Sequence, residues 1–260
     1  MAMASMSNKA IEIQNLNIIY NDIKLGLNAV RDINFSIKDG EFVSIVGPSG
    51  CGKSTILKVL SDTLDKESTD FTGYVRIHGL APEQARLKRK LGLVFQKPTL
   101  LEWRSVEGNI SLPLEIMGEA KKNRNSKISK LLQLVELEDY AKYKPTHLSG
   151  GMQQRVSIAR ALAYNPEVLL MDEPFGALDE ITRQRMNDEL LQIWKETKKT
   201  IVFVTHSIEE AVYLSERIIV LTKQPGTVKE IVEIDLPYPR LKIREDIKFF
   251  KYITYVRKLL

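Results

Sequence analysis

The stretch Gly47-Pro48-Ser49-Gly50-Cys51-Gly52-Lys53-Ser54 decides the fold of this chain. It satisfies the pattern G-x-x-x-x-G-K-[ST], and it lies between an apolar segment, residues 42–46, and a segment with helical periodicity from Thr55 onward. A strand, a glycine-rich loop and a helix in this order form a phosphate cradle. The glycines let successive backbone N–H groups turn towards one anion, and the helix N-terminus adds partial positive charge. We therefore predict that residues 47–54, termed the phosphate loop, bind the phosphates of a nucleotide.

Three side chains of the phosphate loop carry specific expectations. Lys53 is expected to reach the β- and γ-phosphates as a point charge, and the Ser54 hydroxyl is expected to bind Mg²⁺. Cys51 is the one cysteine of the chain, so an internal disulfide is excluded. Its thiol has two interpretations: a reactive group with a lowered pKa near backbone amides, or a small side chain that fits a crowded loop. We prefer the second.

Two further strand-like segments end in polar residues. Residues 168–171 precede Asp172 and Glu173, and residues 201–205 precede His206. Open α/β sheets place ligand sites outside the carboxyl ends of their strands. We predict that Asp172 holds Mg²⁺ directly or through water. Because side chains alternate along an extended chain, Glu173 should point elsewhere and orient or deprotonate an attacking water. His206 is expected to contact the γ-phosphate or that water.

The composition narrows the class of protein. The 260 residues are 43% hydrophobic and 27% charged, which is ordinary for a globular chain and excludes a disordered or fibrous one. No stretch approaches the roughly 18 uncharged apolar residues of a membrane span. Residues 1–7 lack the basic start and apolar segment of a secretory signal. The net charge of +5 permits nucleic acid, an anionic membrane surface or phosphate ligands, and it selects none of them.

The hydrophobic pattern divides the chain into parts. Short apolar runs predict a meander of strands near the N-terminus, helical patterns dominate residues 97–164, and strands alternate with helices afterwards. Such alternation predicts a mainly parallel sheet with helices on its faces. The predicted strands are residues 11–20, 34–37, 42–46, 73–77, 91–95, 168–171, 201–205, 217–221 and 228–234, and the clearest predicted helices are residues 55–61, 124–137, 152–164, 177–195 and 243–260.

We therefore predict one α/β domain that spans residues 1–260. Its nucleotide-binding core comprises residues 1–96 and 165–236 and includes an N-terminal antiparallel β subdomain. A helical subdomain, residues 97–164, is inserted into this core, and residues 237–260 form a helical extension at the C-terminus.

The octapeptide Leu148-Ser149-Gly150-Gly151-Met152-Gln153-Gln154-Arg155 lies shortly before the acidic strand. Ser149 at a helix start, followed by two glycines, is a second anion site of the same physical type as the first. Together with the phosphate loop and the acidic pair, in that order, the octapeptide resembles the ATP-binding subunit of ABC transporters over roughly residues 11–234. The resemblance implies a P-loop NTPase (RecA-like) core that hydrolyses ATP.

The resemblance also implies a divided site. Two chains would form a homodimer, or one chain would pair with a paralogous ATPase subunit, and each ATP would lie between the phosphate loop of one chain and Ser149 of the other. Gln96 would contact Mg²⁺ and water, Asp179 would reach across the interface, and Tyr20 would stack on the adenine. Motifs and resemblance together assign nucleotide contacts to Tyr20, Gly47, Pro48, Ser49, Gly50, Cys51, Gly52, Lys53, Ser54, Thr55, Gln96, Ser149, Gly150, Gly151, Gln153 and Asp179. They assign Mg²⁺ binding to Ser54, Gln96 and Asp172. They assign catalysis to Glu173, His206 and Lys53.

A membrane partner follows from the same resemblance. The helical subdomain and the core would form a cleft for a short helix of an integral-membrane permease, lined by residues 97–104, in which Trp103 either packs or docks. Residues 171–179 and 206–211 resemble prokaryotic importers. Leu100-Leu101-Glu102-Trp103 and Pro225-Gly226 resemble the nitrate, sulfonate, taurine and pyrimidine-precursor group. The implied protein is peripheral on the cytoplasmic face of the membrane and drives uptake of a small anion such as nitrate, sulfonate or taurine, or of a related small solute. It works indirectly with a solute-binding protein and binds no nucleic acid.

Two other classes of protein remain as alternatives. A soluble ABC ATPase that acts on nucleic acid or ribosomes is compatible with the positive charge, but such proteins usually carry tandem cassettes or a long coiled-coil insertion, which this sequence lacks. A phosphate-loop kinase would share residues 47–54, but it would have no use for the octapeptide at residues 148–155.

Overall fold

Two β-sheets and a set of helices make up the computed structural model, which describes residues 9–21 and 27–260. Residues 1–7, which the sequence excludes as a secretory signal, lie outside the described residues. The strands are β1 (Lys9–Tyr20), β2 (Leu27–Lys38), β3 (Phe42–Val46), β4 (Thr69–Ile77), β5 (Leu91–Val94), β6 (Val168–Asp172), β7 (Thr200–Val204), β8 (Arg217–Leu221) and β9 (Val228–Glu233). The α-helices are α1 (Lys53–Leu60), α2 (Pro82–Leu87), α3 (Val106–Ile116), α4 (Lys121–Leu134), α5 (Gly150–Leu162), α6 (Glu180–Thr197), α7 (Ile208–Leu214) and α8 (Ile247–Leu259). Short 3-10 helices lie at Glu138–Tyr140, Pro145–His147 and Ile243–Glu245.

The smaller sheet is antiparallel. Among the described residues it contains three strands in the order β2-β1-β4. The middle strand, β1, buries Ile11, Ile13, Leu16 and Ile18, which pack in the same apolar cluster as the side chains of β2 and helix α1. The predicted N-terminal antiparallel subdomain is therefore confirmed, and its apolar face is joined to the rest of the core.

The larger sheet carries the site. Its described strands run in the order β5-β6-β7-β3-β8-β9, and every neighbouring pair is parallel except β8 and β9. All five residues of β3 and all five of β7 are buried. Continuous apolar strands of this kind are typical of a parallel sheet covered by helices on both faces. The predicted α/β core is confirmed, and the carboxyl ends of β3, β6 and β7 meet at one edge.

Helices α3, α4 and α5 occupy the part of the chain in which the sequence predicts only helices. Helix α3 packs against both α4 and α5. Its buried residues Val106, Ile110 and Leu114 belong to the same core cluster as Ile128 and Leu132 of α4. This group is the inserted helical subdomain of the predicted fold class.

Most predicted elements are present with shifted ends, and side-chain caps explain two of the shifts. Helix α6 begins at Glu180 rather than at residue 177, because Asp179 Oδ1 accepts a hydrogen bond from the backbone N–H of Thr182 at 3.0 Å. Helix α8 begins at Ile247 rather than at residue 243, because Asp246 caps it in the same way. Helices α2, α3 and α7 are present without having been predicted individually.

A buried arginine helps to fasten the C-terminal extension to the core. Arg240 is 1% exposed, and its guanidinium donates hydrogen bonds to the carbonyl oxygens of Val212, Tyr213, Ser215 and Leu236. Helix α8 follows and buries Phe249, Ile253 and Val256. The aromatic residues of α8 differ in burial, because Phe249 is buried whereas Phe250 is 55% exposed.

Within residues 9–21 and 27–260, no helix combines the length and the apolar character that crossing a membrane would require.

The fastening role of Arg240 can be tested by Arg240→Met, which keeps much of the side-chain volume. The free energy of unfolding should fall by about 3 kcal/mol, because buried carbonyl oxygens lose their donor. Urea denaturation followed by circular dichroism measures the change. The control Arg86→Met removes an exposed ion pair with Asp62 and should cost less than about 1 kcal/mol. Equal effects of the two substitutions would contradict the role given to Arg240.

Candidate nucleotide-binding site

The phosphate loop connects the central strand β3 to helix α1. Gly52 is the residue before the helix, and its φ of 97° lies in the left-handed region that favours glycine. A β-carbon at this position would lie 2.3 Å from Val30 Cγ1 of strand β2. The loop is therefore packed against the antiparallel sheet at a point where a side chain has no space.

Lys53 is turned inward. Its Nζ donates to the carbonyl oxygens of Gly47 at 2.8 Å and Pro48 at 3.0 Å, and the residue is 4% exposed. The ammonium group thus lies within the loop, where phosphate oxygens would compete with these two carbonyl groups for its N–H donors. This placement agrees with the predicted contact to a nucleotide.

Cys51 fits the loop as a small side chain. It is fully buried, and burial raises the pKa of its thiol. The reactive thiol with a lowered pKa, considered as an alternative from the sequence, is therefore wrong. The physical reason is that desolvation outweighs the neighbouring Lys53 charge.

Oxygen ligands suitable for a cation meet beside the loop. The Ser54 hydroxyl donates to Asp172 Oδ1 at 2.9 Å, which joins the start of α1 to the end of β6. The described residues contain no cluster of three or more His, Cys, Asp or Glu residues that could hold a metal. A hydroxyl and a carboxylate nevertheless fit Mg²⁺, because this ion is usually held by one or two protein oxygens, waters and substrate phosphates.

Gln96 follows β5, the strand that pairs with β6. Its amide nitrogen is 3.2 Å from the place that a β-carbon on Gly176 would take, so the side chain rests on the turn that follows Glu173. The residue itself is exposed. The geometry brings Gln96 to the same edge of the sheet as Asp172, and its contact with Mg²⁺ and water stays a prediction.

Glu173 and His206 form a close pair. Their Oε1 and Nε2 atoms are 2.5 Å apart, with the Glu173 side chain 17% exposed and that of His206 48% exposed. The expected reason for the direction of Glu173 is wrong. Strand β6 ends at Asp172, and Glu173 has a φ of 47°, so a left-handed turn and not strand alternation directs its carboxylate. Its backbone N–H donates to the Val204 carbonyl of β7 at 2.9 Å.

Tyr20 lies at the end of strand β1 and borders a cleft. Its hydroxyl is 3.1 Å from Thr55 Oγ1 of helix α1, which turns the half-buried ring towards the phosphate loop. The cleft has a volume of about 310 Å³ and is lined by Tyr20, Ala29, Ser49, Gly50, Gly52, Lys53, Ser54, Thr55, Glu173, His206 and Gln224. Ala29 and Gln224 were not predicted, because neither belongs to a recognisable motif.

The octapeptide is elsewhere on the surface. Ser149 caps helix α5, since its Oγ accepts from the backbone N–H of Met152 at 3.3 Å. Ser149 and Gly150 are exposed, whereas Gly151 is buried. The side chain of Gln153 turns back and donates to the carbonyl oxygen of Pro145 at 3.0 Å.

Asp179 has the same kind of local role at helix α6, where hydrogen bonds from Thr182 lower the pKa of its carboxyl. Among the residues that the structure describes, the cleft is lined neither by Asp179 nor by any residue of the octapeptide. A single chain therefore brings together the phosphate loop, the acidic pair and His206, and it leaves Ser149 and Asp179 outside.

The segment before helix α3 presents an exposed tryptophan. Trp103 is 73% exposed, so of the two interpretations, packing and docking, packing in the core does not apply. Asn109 is fully buried and fixes the segment: its Oδ1 accepts from the N–H of Leu101 at 2.8 Å, and its Nδ2 donates to the carbonyl oxygens of Leu101 and Ser105. Sequence reasoning missed Asn109, because a lone asparagine in a helical pattern carries no signal.

Comparisons with known proteins agree with this geometry. A family model described as ABC transporter matches residues 30–176. An uncharacterized ABC transporter ATP-binding protein of Methanocaldococcus jannaschii is 44% identical over 250 residues, covering 96% of this chain and 91% of that protein. The aliphatic sulfonates import ATP-binding protein SsuB of Bacillus cereus is 43% identical over 222 residues, covering 85% of each chain.

Solved structures give the same result. The dimeric structure of MJ0796, a bacterial ABC transporter cassette, has a TM-score of 0.74 and 36% identity, and the match covers 87% of this chain and all of that one. A dimeric post-hydrolysis state of the same cassette, bound to ADP and Pi, matches with the same TM-score and 34% identity. The family model spans more than half of the chain and the relatives match most of its length. The chain therefore belongs to the ABC transporter family, as an ATP-binding subunit with ATPase activity.

Proposed function

We propose that this ATPase binds MgATP at the edge formed by β3, β6 and β7, closes on it as a dimer, and drives a separate membrane permease. One observation carries the proposal: the cleft gathers the phosphate loop, Glu173 and His206, while the exposed helix start at Ser149 lies outside the cleft. The first group is half of a phosphate site, and the second is an anion site without a ligand in its own chain.

Nucleotide binding depends first on electrostatic attraction between the phosphates and the phosphate loop. The backbone N–H groups of the phosphate loop and the Lys53 ammonium bind the β- and γ-phosphates, and Tyr20 offers its ring to the base. Ser54 and Asp172 would hold Mg²⁺, with Gln96 nearby, and a bound ion would neutralise the negative charge that develops on the phosphates.

Glu173 and His206, which form a close pair, act in hydrolysis. Glu173 accepts a proton from a water as its oxygen attacks the γ-phosphorus, and the bond to the β-phosphate oxygen breaks to leave ADP and phosphate. His206, 2.5 Å from the Glu173 carboxylate, keeps that carboxylate oriented and contacts the γ-phosphate. The low exposure of Glu173 limits competition from bulk solvent.

Dimerisation completes the site. The N-terminus of α5, with Ser149, Gly150 and Gly151, supplies N–H donors to the γ-phosphate of the partner chain, and Asp179 contacts the partner across the interface. ATP holds the two chains together because both anion sites share its γ-phosphate. Release of phosphate removes the shared anion, and the chains separate. The dimeric form of the similar cassette supports this arrangement.

The segment that contains Trp103 forms the contact with the membrane permease. Its exposed ring and the rigid backbone set by Asn109 form a docking point for a helix of the permease, and Gln96 transmits the state of the site to it. Similarity to a sulfonate import protein supports uptake of a small anion such as a sulfonate, taurine or nitrate, with a solute-binding protein acting upstream. We place the subunit on the cytoplasmic face of a prokaryotic membrane.

The role of Glu173 is tested by Glu173→Gln, which keeps the size of the side chain and removes the base. Hydrolysis should fall by about 100- to 10,000-fold. ATP binding should persist, and the variant should elute as an ATP-dependent dimer in size-exclusion chromatography. The control Glu209→Gln changes an exposed carboxyl on α7 and should hydrolyse ATP like the wild type. Full turnover by Glu173→Gln would remove Glu173 from catalysis.

The divided site is tested by mixing two inactive chains. Lys53→Ala damages the phosphate loop, and Ser149→Asp keeps a good helix cap while it places a negative charge in the second anion site. Each variant alone should be inactive. A mixture should regain roughly a quarter of wild-type activity, because half of the random dimers are mixed and each mixed dimer has one intact site of two.

The matched control mixes the Lys53→Ala chain with a chain that carries both substitutions. No pairing of these two chains contains an intact site, so activity should stay absent. If the first mixture is as inactive as the control, each site lies within one chain and the proposed dimer mechanism is wrong.

A further inference from the structure

A hairpin loop to which the sequence analysis gives no contact with the nucleotide, residues 222–227, lies against the phosphate loop. It connects β8 to β9 and is closed by its own end residues. The backbone N–H of Thr222 donates to the carbonyl oxygen of Thr227 at 3.0 Å, and the N–H of Thr227 donates to Thr222 Oγ1 at 2.9 Å. The hairpin loop therefore has a fixed shape.

Gly226 ties this loop to the antiparallel sheet. Its N–H donates to the carbonyl oxygen of Ala29 at 3.0 Å, and its carbonyl oxygen accepts from the N–H of Arg31 at 2.9 Å. These two bonds make Gly226 a one-residue parallel partner of strand β2. Because these hydrogen bonds hold Gly226 between the two sheets, its backbone cannot move away from the atoms next to it.

The neighbour of Gly226 on the other side is the phosphate loop itself. A β-carbon on Gly226 would lie 2.1 Å from the carbonyl oxygen of Cys51 and 3.2 Å from its carbonyl carbon. The residue is buried, and its φ is outside the left-handed region, so glycine is required here by space and not by backbone conformation. The contact is between two backbones, which cannot be relieved by a change of rotamer.

We propose that Gly226 is a positioning residue for nucleotide binding: it sets the peptide group between Cys51 and Gly52. This inference rests on the proposed role of the phosphate loop. A peptide group is planar and trans, so its carbonyl oxygen and its N–H point in opposite directions. The oxygen of Cys51 points towards Gly226, and the N–H of Gly52 points the other way. Gly52 lines the cleft, so a displaced Cys51 oxygen would turn a phosphate-binding N–H out of place.

The test is the affinity for MgADP, measured by isothermal titration calorimetry, which needs neither hydrolysis nor a dimer. Gly226→Ala should bind MgADP about 10- to 100-fold more weakly, because small displacements of positioning groups have effects of this size. In steady-state hydrolysis the KM for ATP should rise by a larger factor than kcat falls. The control Gly108→Ala adds a methyl group that meets the Ser105 hydroxyl at 3.2 Å. Gly108 is not among the residues that line the cleft, so this variant should bind MgADP normally.

Two more variants keep the result interpretable. Ile253→Ala removes a buried side chain of α8 and lowers global stability, as Gly226→Ala also will. It should leave MgADP affinity unchanged at a temperature where both variants are folded. Should Gly226→Ala fail to fold, Thr222→Val tests the same loop, because it removes the hydroxyl that accepts from Thr227, and MgADP should then bind several-fold more weakly.

The outcomes separate the two proposals. Wild-type protein that does not bind MgADP contradicts the proposed function. Wild-type protein that binds, together with unchanged affinity in a folded Gly226→Ala variant, overturns the role of Gly226 alone. An equal loss of affinity in Ile253→Ala would overturn it too, because general destabilisation would then explain the result. Unchanged affinity in Thr222→Val has the same meaning where Gly226→Ala does not fold.

Discussion

The position of β3 in the middle of the larger sheet is the constraint on which the site depends. This strand pairs with β7 on one side and β8 on the other, and all five of its residues are buried. Its carboxyl end, where the phosphate loop begins, therefore cannot shift without breaking two ladders of hydrogen bonds. Parallel pairing brings the ends of β6 and β7 to the same edge, so the backbone at Asp172, Glu173 and His206 lies beside the loop.

The second constraint is that the loop is enclosed by parts of the chain that are distant in sequence. Strand β2 contacts it at Gly52 through Val30, and the hairpin loop at residues 222–227 contacts it at Cys51 through Gly226. The small antiparallel sheet therefore does more than position Tyr20. It supports the phosphate loop from one side, and the hydrogen bonds between Gly226 and strand β2 join the two supports.

Much of the fold and part of the site could be predicted from the sequence, and the division has a physical reason. Motifs such as residues 47–54, and polar residues at the ends of apolar strands, can be recognised because the residues that define them are neighbours in the sequence. Apolar strands of the parallel sheet were predicted with nearly correct ends. The structural roles of Gly226 and Gln224 were missed, because they arise from contacts with residues far along the chain. That of Asn109 was missed because its hydrogen bonds to the backbone of Leu101 and Ser105 leave no recognisable pattern in the sequence. The start of α6 was predicted three residues too early. The side chain of Asp179 caps this helix, so the helix begins at Glu180 and not at residue 177.

The backbone of Glu173 shows why local pattern and geometry can differ at a site. A left-handed conformation costs a non-glycine residue about 1–2 kcal/mol, so a turn at this position needs support from its surroundings. The support is present, because the Glu173 N–H donates to Val204 of the neighbouring strand and its carboxylate meets His206. Ordinary strand continuation would place the side chains of Asp172 and Glu173 on opposite faces of the sheet. The turn instead keeps both carboxylates at the sheet edge, one hydrogen-bonded to Ser54 and the other bordering the cleft. The strained turn therefore allows two adjacent residues to take their proposed roles in one site, Asp172 as metal ligand and Glu173 as base.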